Sequence, residues 1–347
     1  MDFNFNKHQH FPLADRSFLN IVRRDISKIA ENIGFTEAET GRVSLVVTEM
    51  ATNLLKHATT QGGELLVKPL CDENSQSCGI ELLCLDNGPG MSDPQRMMED
   101  GVSTFGSMGQ GLGAIKRQSD FFDIYSKRGL GTIILSRIYR KGQVPNLLTR
   151  TTHKFQIGAV MVPKPGEKES GDGWSLRLSH EGAYLVVLDG LGHGEYAYEA
   201  SQSAVHAFQQ QPKQTPSAML RGIHAAIKKT RGAVGAIAHW NVESQSLYFC
   251  GIGNISGRIF SAEGTKNLLS YNGTLGMTVP TTLNDHHHHW APGSMMVLHS
   301  DGLKTRWDFQ KYPELIRHDP TLIAAVLYKD NTRTVDDTLV VVVRATA

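Results

Sequence analysis

Asp86-Asn-Gly-Pro-Gly90-Met91 closes the apolar run Gly79–Asp86, and the reading of this stretch decides the first half of the chain. A carboxylate at the end of a buried strand can accept the exocyclic amine of adenine. The glycines at 88 and 90 let a flat base lie against bare backbone. Alone, Asp-Asn-Gly-Pro-Gly is also an ordinary turn with an Asx start, so its meaning depends on its flanks. Upstream, Glu49-Met-Ala-Thr-Asn53 sets a carboxylate and an amide one helical turn apart, and His57 continues the same row. An Asn amide oxygen suits Mg²⁺, and a carboxylate one turn earlier can orient or deprotonate an attacking hydroxyl or water. Downstream, Gly109-Gln-Gly-Leu-Gly113 precedes a helix, so the backbone N–H groups at Gly109, Gly111 and Gly113 stand where phosphates can sit. Each element is weak alone; the three in this order describe an ATP site.

The surrounding pattern is that of a layered α/β domain. Apolar residues recur at helical spacing between Arg16 and Asn32 (Phe18, Ile21, Val22, Ile26, Ile29), and Gly34 follows as a stop. Thr36-x-x-Glu39 is a capping-box pattern opening a second helix that runs to about Ala58. Strands are expected at Glu64–Leu70, Gly79–Asp86, Phe121–Ser126 and Gly131–Tyr139, with a helix from near Leu112. This order predicts a sandwich of one helical layer and one sheet.

Lys141–His153 loses periodicity, contains Gly142 and Pro145, and reads as a linker between domains at 1–140 and 154–347. A length of 347 residues agrees with two domains, since single cores divide beyond roughly 250–300 residues. Beyond the linker, strands are expected at Phe155–Val162, Trp174–Ser179, Ala183–Leu188, Gly232–Asn241, Ser246–Gly251, Gly257–Ser261, Met295–His299 and Thr338–Arg344. Helices at about Glu195–Gln210 and Pro216–Thr230 interrupt them. The pattern fits two packed sheets flanked by helices. His286–His289 lies between Asn284-Asp285 and Trp290-Ala-Pro and reads as a loop with adventitious metal affinity.

The second half carries aspartates at strand ends beside glycine turns: Gly171-Asp172-Gly173, Asp189-Gly-Leu-Gly-His-Gly194, Ser300-Asp301-Gly302 and Asp336-Asp337-Thr338. If these carboxylates converge, each pair repels by about 4 kcal/mol at 4 Å and an effective dielectric near 20. Divalent cations relieve that repulsion, and oxygen-only donors select Mg²⁺ or Mn²⁺. Two such ions can activate a water and clamp phosphoryl oxygens. His193, in the glycine turn, reads as a turn residue or a hydrogen-bond donor to the site, and His299 as packed.

The formal net charge of +1 gives no pointer to nucleic acid or to an anionic membrane. No apolar run approaches the roughly 20 residues needed to span a bilayer, and no secretory signal is visible. Four cysteines without a C-x-x-C pair predict reduced thiols and a cytoplasmic protein; a Cys71–Cys78 disulfide is the alternative.

Residues Asp15–Arg140 resemble the GHKL ATPases, in the branch of small bacterial anti-sigma-factor and switch serine kinases. Glu49–Asn53 with Lys56-His57-Ala58 is similar to the family's N box. Asp86–Met91 resembles its G1 box, Gly106–Ile115 its G2 box, and Ser126–Thr132 its closing Gly-Thr element. The resemblance implies a Bergerat-type fold binding ATP-Mg²⁺, in which Asn53 holds the metal, Asp86 reads adenine and Glu49 is the base. Its small kinases phosphorylate a serine or threonine on a STAS-domain antagonist protein. Phe155–Arg344 resembles the PP2C-type phosphatases of the bacterial sporulation and stress-response branch. By that resemblance Asp189 bridges two metals, the Gly190 carbonyl binds one, and Asp172 and Asp301 complete the cage with one of the final acidic pair. The spacing from that pair to Thr338 is one residue shorter than usual, and Asp337 is the favoured ligand. Together the resemblances imply a bifunctional kinase and phosphatase in a partner switch. The alternative is a nucleotide-gated module that binds a sigma factor or other partner, fused to a phosphatase as the only enzyme.

Overall fold

The computed structural model describes residues 6–13, 15–57, 62–71, 76–98, 111–143, 155–179 and 182–346. Gly109 of the expected phosphate loop and positions 144–153 of the linker lie outside the described residues. The chain divides into two compact units: Met1–Thr151 with Phe309–Val326, and Thr152–Asp308 with Leu327–Ala347. The sequence reading kept 154–347 continuous; Phe309–Val326 belongs instead to the first unit.

In the first unit, β1 (Gln9–Pro12), β2 (Gly63–Cys71), β3 (Ser77–Asp86), β4 (Phe121–Lys127) and β5 (Gly131–Tyr139) form an antiparallel sheet in the order β1-β2-β3-β5-β4. The sequence reading omitted β1 because a mostly exposed four-residue edge strand has no apolar alternation. Helices α1 (Ser17–Asn32), α2 (Glu37–His57) and α3 (Gly111–Gln118) cover one face. Val22, Ile26, Val43, Val46, Val47 and Met50 pack there on Leu65, Val67, Ile80, Leu82 and Ile134. The capping box forms: the Thr36 N–H donates to the Glu39 carboxylate at 2.8 Å, and the Glu39 N–H donates to Thr36 Oγ1 at 3.3 Å.

Strand alternation sends Lys68, Glu81 and Arg137 to the opposite face. There Arg137 donates through Nε to Glu81 at 2.7 Å and through both terminal nitrogens to the Asp319 carboxylate at 2.9 and 3.0 Å. Lys68 and His8 approach the same Glu81 oxygen at 3.2 and 3.3 Å. Asp123 accepts from the Asp319 N–H at 2.8 Å and pairs with His318 Nδ1 at 2.9 Å. The piece Phe309–Val326 therefore lies on this face. It contains the start of α6 (Pro320–Asn331), whose residues Leu322–Leu327 are all buried. A helix that is apolar all round shows no amphipathic period, and the sequence reading missed it for that reason.

The second unit is a sandwich of two sheets. One has the order β13-β10-β9-β8-β7, from β7 (Asp172–Ser179), β8 (Gly182–Gly190), β9 (Ala233–Asn241), β10 (Ser246–Ile252) and β13 (His286–His289). The other has the order β12-β11-β14-β15-β6, from β6 (Phe155–Val162), β11 (Ser256–Ser261), β12 (Gly264–Leu268), β14 (Met295–His299) and β15 (Thr338–Ala345). Leu185, Val187, Ala236, Trp240 and Phe249 meet Met161, Ile259, Met296, Leu298 and Val341 between the sheets. On the outer face of the first sheet, Val186, Leu188, Ile237 and Ile252 pack under Phe208, Met219 and Ile223 of α4 (Glu195–Gln210) and α5 (Pro216–Ala226). The fold is the expected α/β sandwich followed by a β-sandwich with flanking helices.

His286–His289 is a strand paired with β10, not the loop expected from its neighbours. Four identical polar residues carry no alternation, yet their backbone completes a ladder. Successive imidazoles point to opposite faces. None of the four cysteines is joined in a disulfide; Cys71 is exposed and the others are buried. Among the described residues, no helix is long and apolar enough to cross a membrane.

Burial by itself raises the Glu81 carboxyl, but Lys68, Arg137 and His8 together hold it well below the usual carboxylate range. Its stabilising contribution is therefore present above the ordinary carboxylate pKa and lost as pH falls further. Arg137→Met leaves Glu81 and Asp319 short of their shared partner. It should destabilise the full chain by about 3–5 kcal/mol in chemical denaturation; an unmoved midpoint contradicts this role.

Candidate functional site

In the first unit, α2 presents Glu49, Asn53 and His57 one turn apart, and the first residue of α3 lies against Glu49 and Asn53. A Cβ at Gly111 would stand 3.0 Å from Glu49 Oε2 and 3.6 Å from Asn53 Oδ1. The N-terminus of α3, with Gly113 buried behind it, thus meets the carboxylate–amide pair. At the end of β3, Asp86 Oδ1 accepts the Gly88 N–H. Gly88 lies so near the end of α2 that a Cβ would come within 2.5 Å of the His57 carbonyl oxygen. Gly90 has φ +69°, and a Cβ there would fall 1.9 Å from the Lys127 carbonyl; only glycine fits.

The β3–β5 register sets Thr132 opposite Asp86. Thr132 Oγ1 shares a 2.8 Å hydrogen bond with Ser126 Oγ, which accepts the Met91 N–H at 2.8 Å. Asp86, Thr132 and the Gly88–Gly90 turn are therefore one cluster. Burial lowers the His57 pKa against the opposing pull of Asp86, so its imidazole is neutral at neutral pH.

In the second unit, the β7–β8 register places Asp172 directly opposite Asp189. Glycine is sterically required around them: a Cβ on Gly190 would lie 2.2 Å from the Ala197 carbonyl, and one on Gly302 would lie 1.9 Å from the Asp337 carbonyl. A cavity of about 320 Å³ opens here, lined by Asp189, Asp301, Asp336, Leu191, Gly192 and Asn254 among others. Asp172 stays buried behind it and accepts the Ser300 hydroxyl at 2.7 Å. Asp337 spends its two oxygens on the N–H groups of Lys164 and Gly171, at 2.8 and 2.9 Å. Asp336 lines the cavity, whereas Asp337, the ligand expected from the sequence, turns its oxygens to these backbone N–H groups.

Asn254 and Arg333, which the sequence reading did not single out, hold Asp301. The Asn254 amide donates to its carboxylate at 2.9 Å, and the Arg333 guanidinium donates to its carbonyl at 3.2 Å. His193 bonds Glu167 at 2.8 Å. His299 is buried, accepts the Trp307 indole N–H at 3.3 Å, and has its pKa pushed down to about 4 by burial. It is a packed residue, as expected.

Burial, then the charges of Asp301, Asp336 and Asp337, push the Asp189 carboxyl up to about 8. Burial and Asp189 raise Asp172 well above the usual range, and burial also raises Asp301 and Asp337. Among the described residues, no three such side chains are drawn together at finished ligand spacing. The donor chemistry nonetheless fits a hard divalent ion: Asp189, Asp301, Asp336 and the Gly190 carbonyl offer only oxygen, and a cation relieves the like-charge repulsion that helps raise the Asp189 and Asp301 carboxyls.

Residues 13–137 match the family described as histidine kinase-like ATPase domain, and residues 179–345 match stage II sporulation protein E (SpoIIE). The serine/threonine-protein kinase RsbT of Bacillus subtilis (strain 168) is 33% identical over 106 residues, which is 30% of this chain and 77% of RsbT. The phosphoserine phosphatase RsbX of the same organism is 26% identical over 150 residues, 43% of this chain and 75% of RsbX. A solved structure from work on the bacterial stressosome, a modular system adapted to control secondary messenger signalling, superposes with a TM-score of 0.52. It is 25% identical and covers 55% of this chain and 100% of its own. Fold and sites thus define a kinase-like ATPase domain joined to a metal-dependent serine/threonine phosphatase domain. The chain belongs to the histidine kinase-like ATPase family on its RsbT-like side, fused to a SpoIIE/RsbX-like phosphatase domain.

A carboxyl raised by folding keeps its proton longer in the folded than in the unfolded chain. Folded stability therefore falls as pH rises from the ordinary carboxylate range toward about 8, the value for Asp189. The Tm of chelator-treated protein should drop across that window, Asp189→Asn should flatten the drop, and Mg²⁺ or Mn²⁺ should reverse it. A flat wild-type profile contradicts the carboxylate repulsion.

Proposed function

We propose that the chain is a bifunctional signalling regulator that adds phosphate to one serine or threonine and removes it from the same or another. The first unit would be an ATP-Mg²⁺-dependent protein serine/threonine kinase and the second a Mg²⁺- or Mn²⁺-dependent protein serine/threonine phosphatase. Both would act on STAS-domain antagonist proteins in the cytoplasm. The observation that carries this reading is the contact of Gly111 with both Glu49 and Asn53, present in the same chain as the carboxylate-lined cavity.

In the kinase unit, Asn53 holds the magnesium of ATP through its amide oxygen, Asp86 accepts the adenine amine, and Gly88 and Gly90 admit the base. His57 borders the pocket as a neutral ring, and Thr132 fixes the turn beside Asp86. The N–H groups at Gly109, Gly111 and Gly113 take phosphate oxygens. Glu49 withdraws the proton from the acceptor hydroxyl. In the phosphatase unit, Asp189, the Gly190 carbonyl, Asp301 and Asp336 hold two divalent ions, while Asp172 and Asp337 brace the cage from behind. Such ions supply an activated water and charge neutralisation at the phosphoryl oxygens.

With ATP-Mg²⁺ and a STAS-domain protein, the wild-type chain should transfer phosphate, and Asn53→Ala should lower transfer by about 100-fold or more. Asp189→Ala should keep transfer but lose Mn²⁺-dependent dephosphorylation. Asp336→Asn should do the same, whereas Asp337→Asn should chiefly lower stability. Nucleotide-dependent capture of a sigma factor or other partner, with no transfer by wild type, would replace the kinase reading with a binding switch.

A further inference from the structure

A cation stands at the edge of the phosphatase cavity outside the ligand set. Arg231 immediately precedes β9, and the Leu191 N–H, two residues beyond Asp189, donates to the Gly232 carbonyl at 3.1 Å. That bond brings the guanidinium to the Leu191–Gly192 corner, both residues of which line the cavity. Arg231 Nη1 lies 3.5 Å from the Leu191 carbonyl oxygen, and a Cβ on Gly192 would come within 2.9 Å of it. Tyr196, at the start of α4 and 67% exposed, places its ring centroid 5.6 Å from the guanidinium carbon. Arg231 is itself exposed and, among the described residues, is paired with no carboxylate. It thus keeps its full charge and most of its five N–H donors.

We infer that Arg231 is the anchor for the phosphoryl dianion of the substrate phosphoserine or phosphothreonine, and that Tyr196 is its positioning residue. The inference rests on the phosphatase reading of this cavity. A dianion approaching a wall of carboxylates is repelled, so recognition calls for a positive group at the mouth that the wall has not neutralised. A planar guanidinium meets phosphate with two parallel hydrogen bonds, which an ammonium cannot do. An aromatic face holds that guanidinium in place without cancelling its charge, whereas a carboxylate partner would have done both.

The test compares the full-length wild type with Arg231→Ala, Arg231→Lys, Tyr196→Ala and Tyr196→Phe, using Mn²⁺ and a phosphoserine peptide. Arg231→Ala should raise both KM and the inhibition constant of inorganic phosphate by about tenfold or more. Its kcat, its Mn²⁺ activation midpoint and its Tm should change little. Arg231→Lys should recover part of the loss. Tyr196→Phe should match wild type, and Tyr196→Ala should raise KM by less than Arg231→Ala. Unchanged KM and phosphate inhibition in Arg231→Ala overturn the anchor; so does a loss confined to the Mn²⁺ midpoint, which marks a structural prop. Wild type that hydrolyses no phosphopeptide sinks the phosphatase reading instead. Calorimetric titration of inorganic phosphate into the Mn²⁺-loaded wild type and Arg231→Ala still judges the anchor in that event, and equal binding overturns it.

Discussion

The pairing of Asp172 with Asp189 across β7 and β8 is the constraint from which the second unit's site follows. Two carboxylates fixed side by side in a sheet cannot both ionise cheaply away from water. The chain surrounds them with compensation in graded form. Ser300 gives Asp172 a hydroxyl, while Lys164 and Gly171 give Asp337 two backbone N–H groups. Asp189, Asp301 and Asp336, left at the cavity wall, are the ones whose remaining compensation must come from outside the polypeptide. The division between bracing and open carboxylates is what makes the arrangement a site and not merely an unfavourable core.

The first unit handles charge differently. On the face away from its helices, Glu81 is surrounded by Lys68, Arg137 and His8, and Arg137 continues to Asp319. Positive and negative groups alternate, so the network is satisfied within the polypeptide and its carboxylate is driven down in pKa. Asp189, among like charges, is driven up.

Much of both sites was legible because close backbone approach leaves a mark in sequence. Gly90 is glycine because a Cβ would meet the Lys127 carbonyl, and Gly190 and Gly302 because a Cβ would meet those of Ala197 and Asp337. Such residues sit beside the functional side chains and so report them. The capping box at Thr36 and Glu39 was equally readable, because its partners are three residues apart. What was not legible depends on distant partners. Whether Asp336 or Asp337 faces the cavity is decided by Lys164 and Gly171, more than 160 residues earlier. Strand β13 is decided by its neighbour β10, and Arg231 acquires its place only when Gly232 receives the Leu191 N–H.

The membership of Phe309–Val326 in the first unit changes what the linker near residue 150 means. A cut there separates two sequence families but not two self-sufficient folds. The piece cut away carries Asp319, the partner of Arg137, and His318 and the Asp319 N–H, the partners of Asp123. It also lies in sequence between Asp301 and Asp336, two of the carboxylates that line the cavity. The chain thus leaves the phosphatase unit just after one such residue, contributes a segment to the ATPase unit, and returns just before the other. Two domains joined by a simple tether could be lost, duplicated or exchanged independently. Here the first unit is complete only when most of the second has been made, so the two units share one condition for folding.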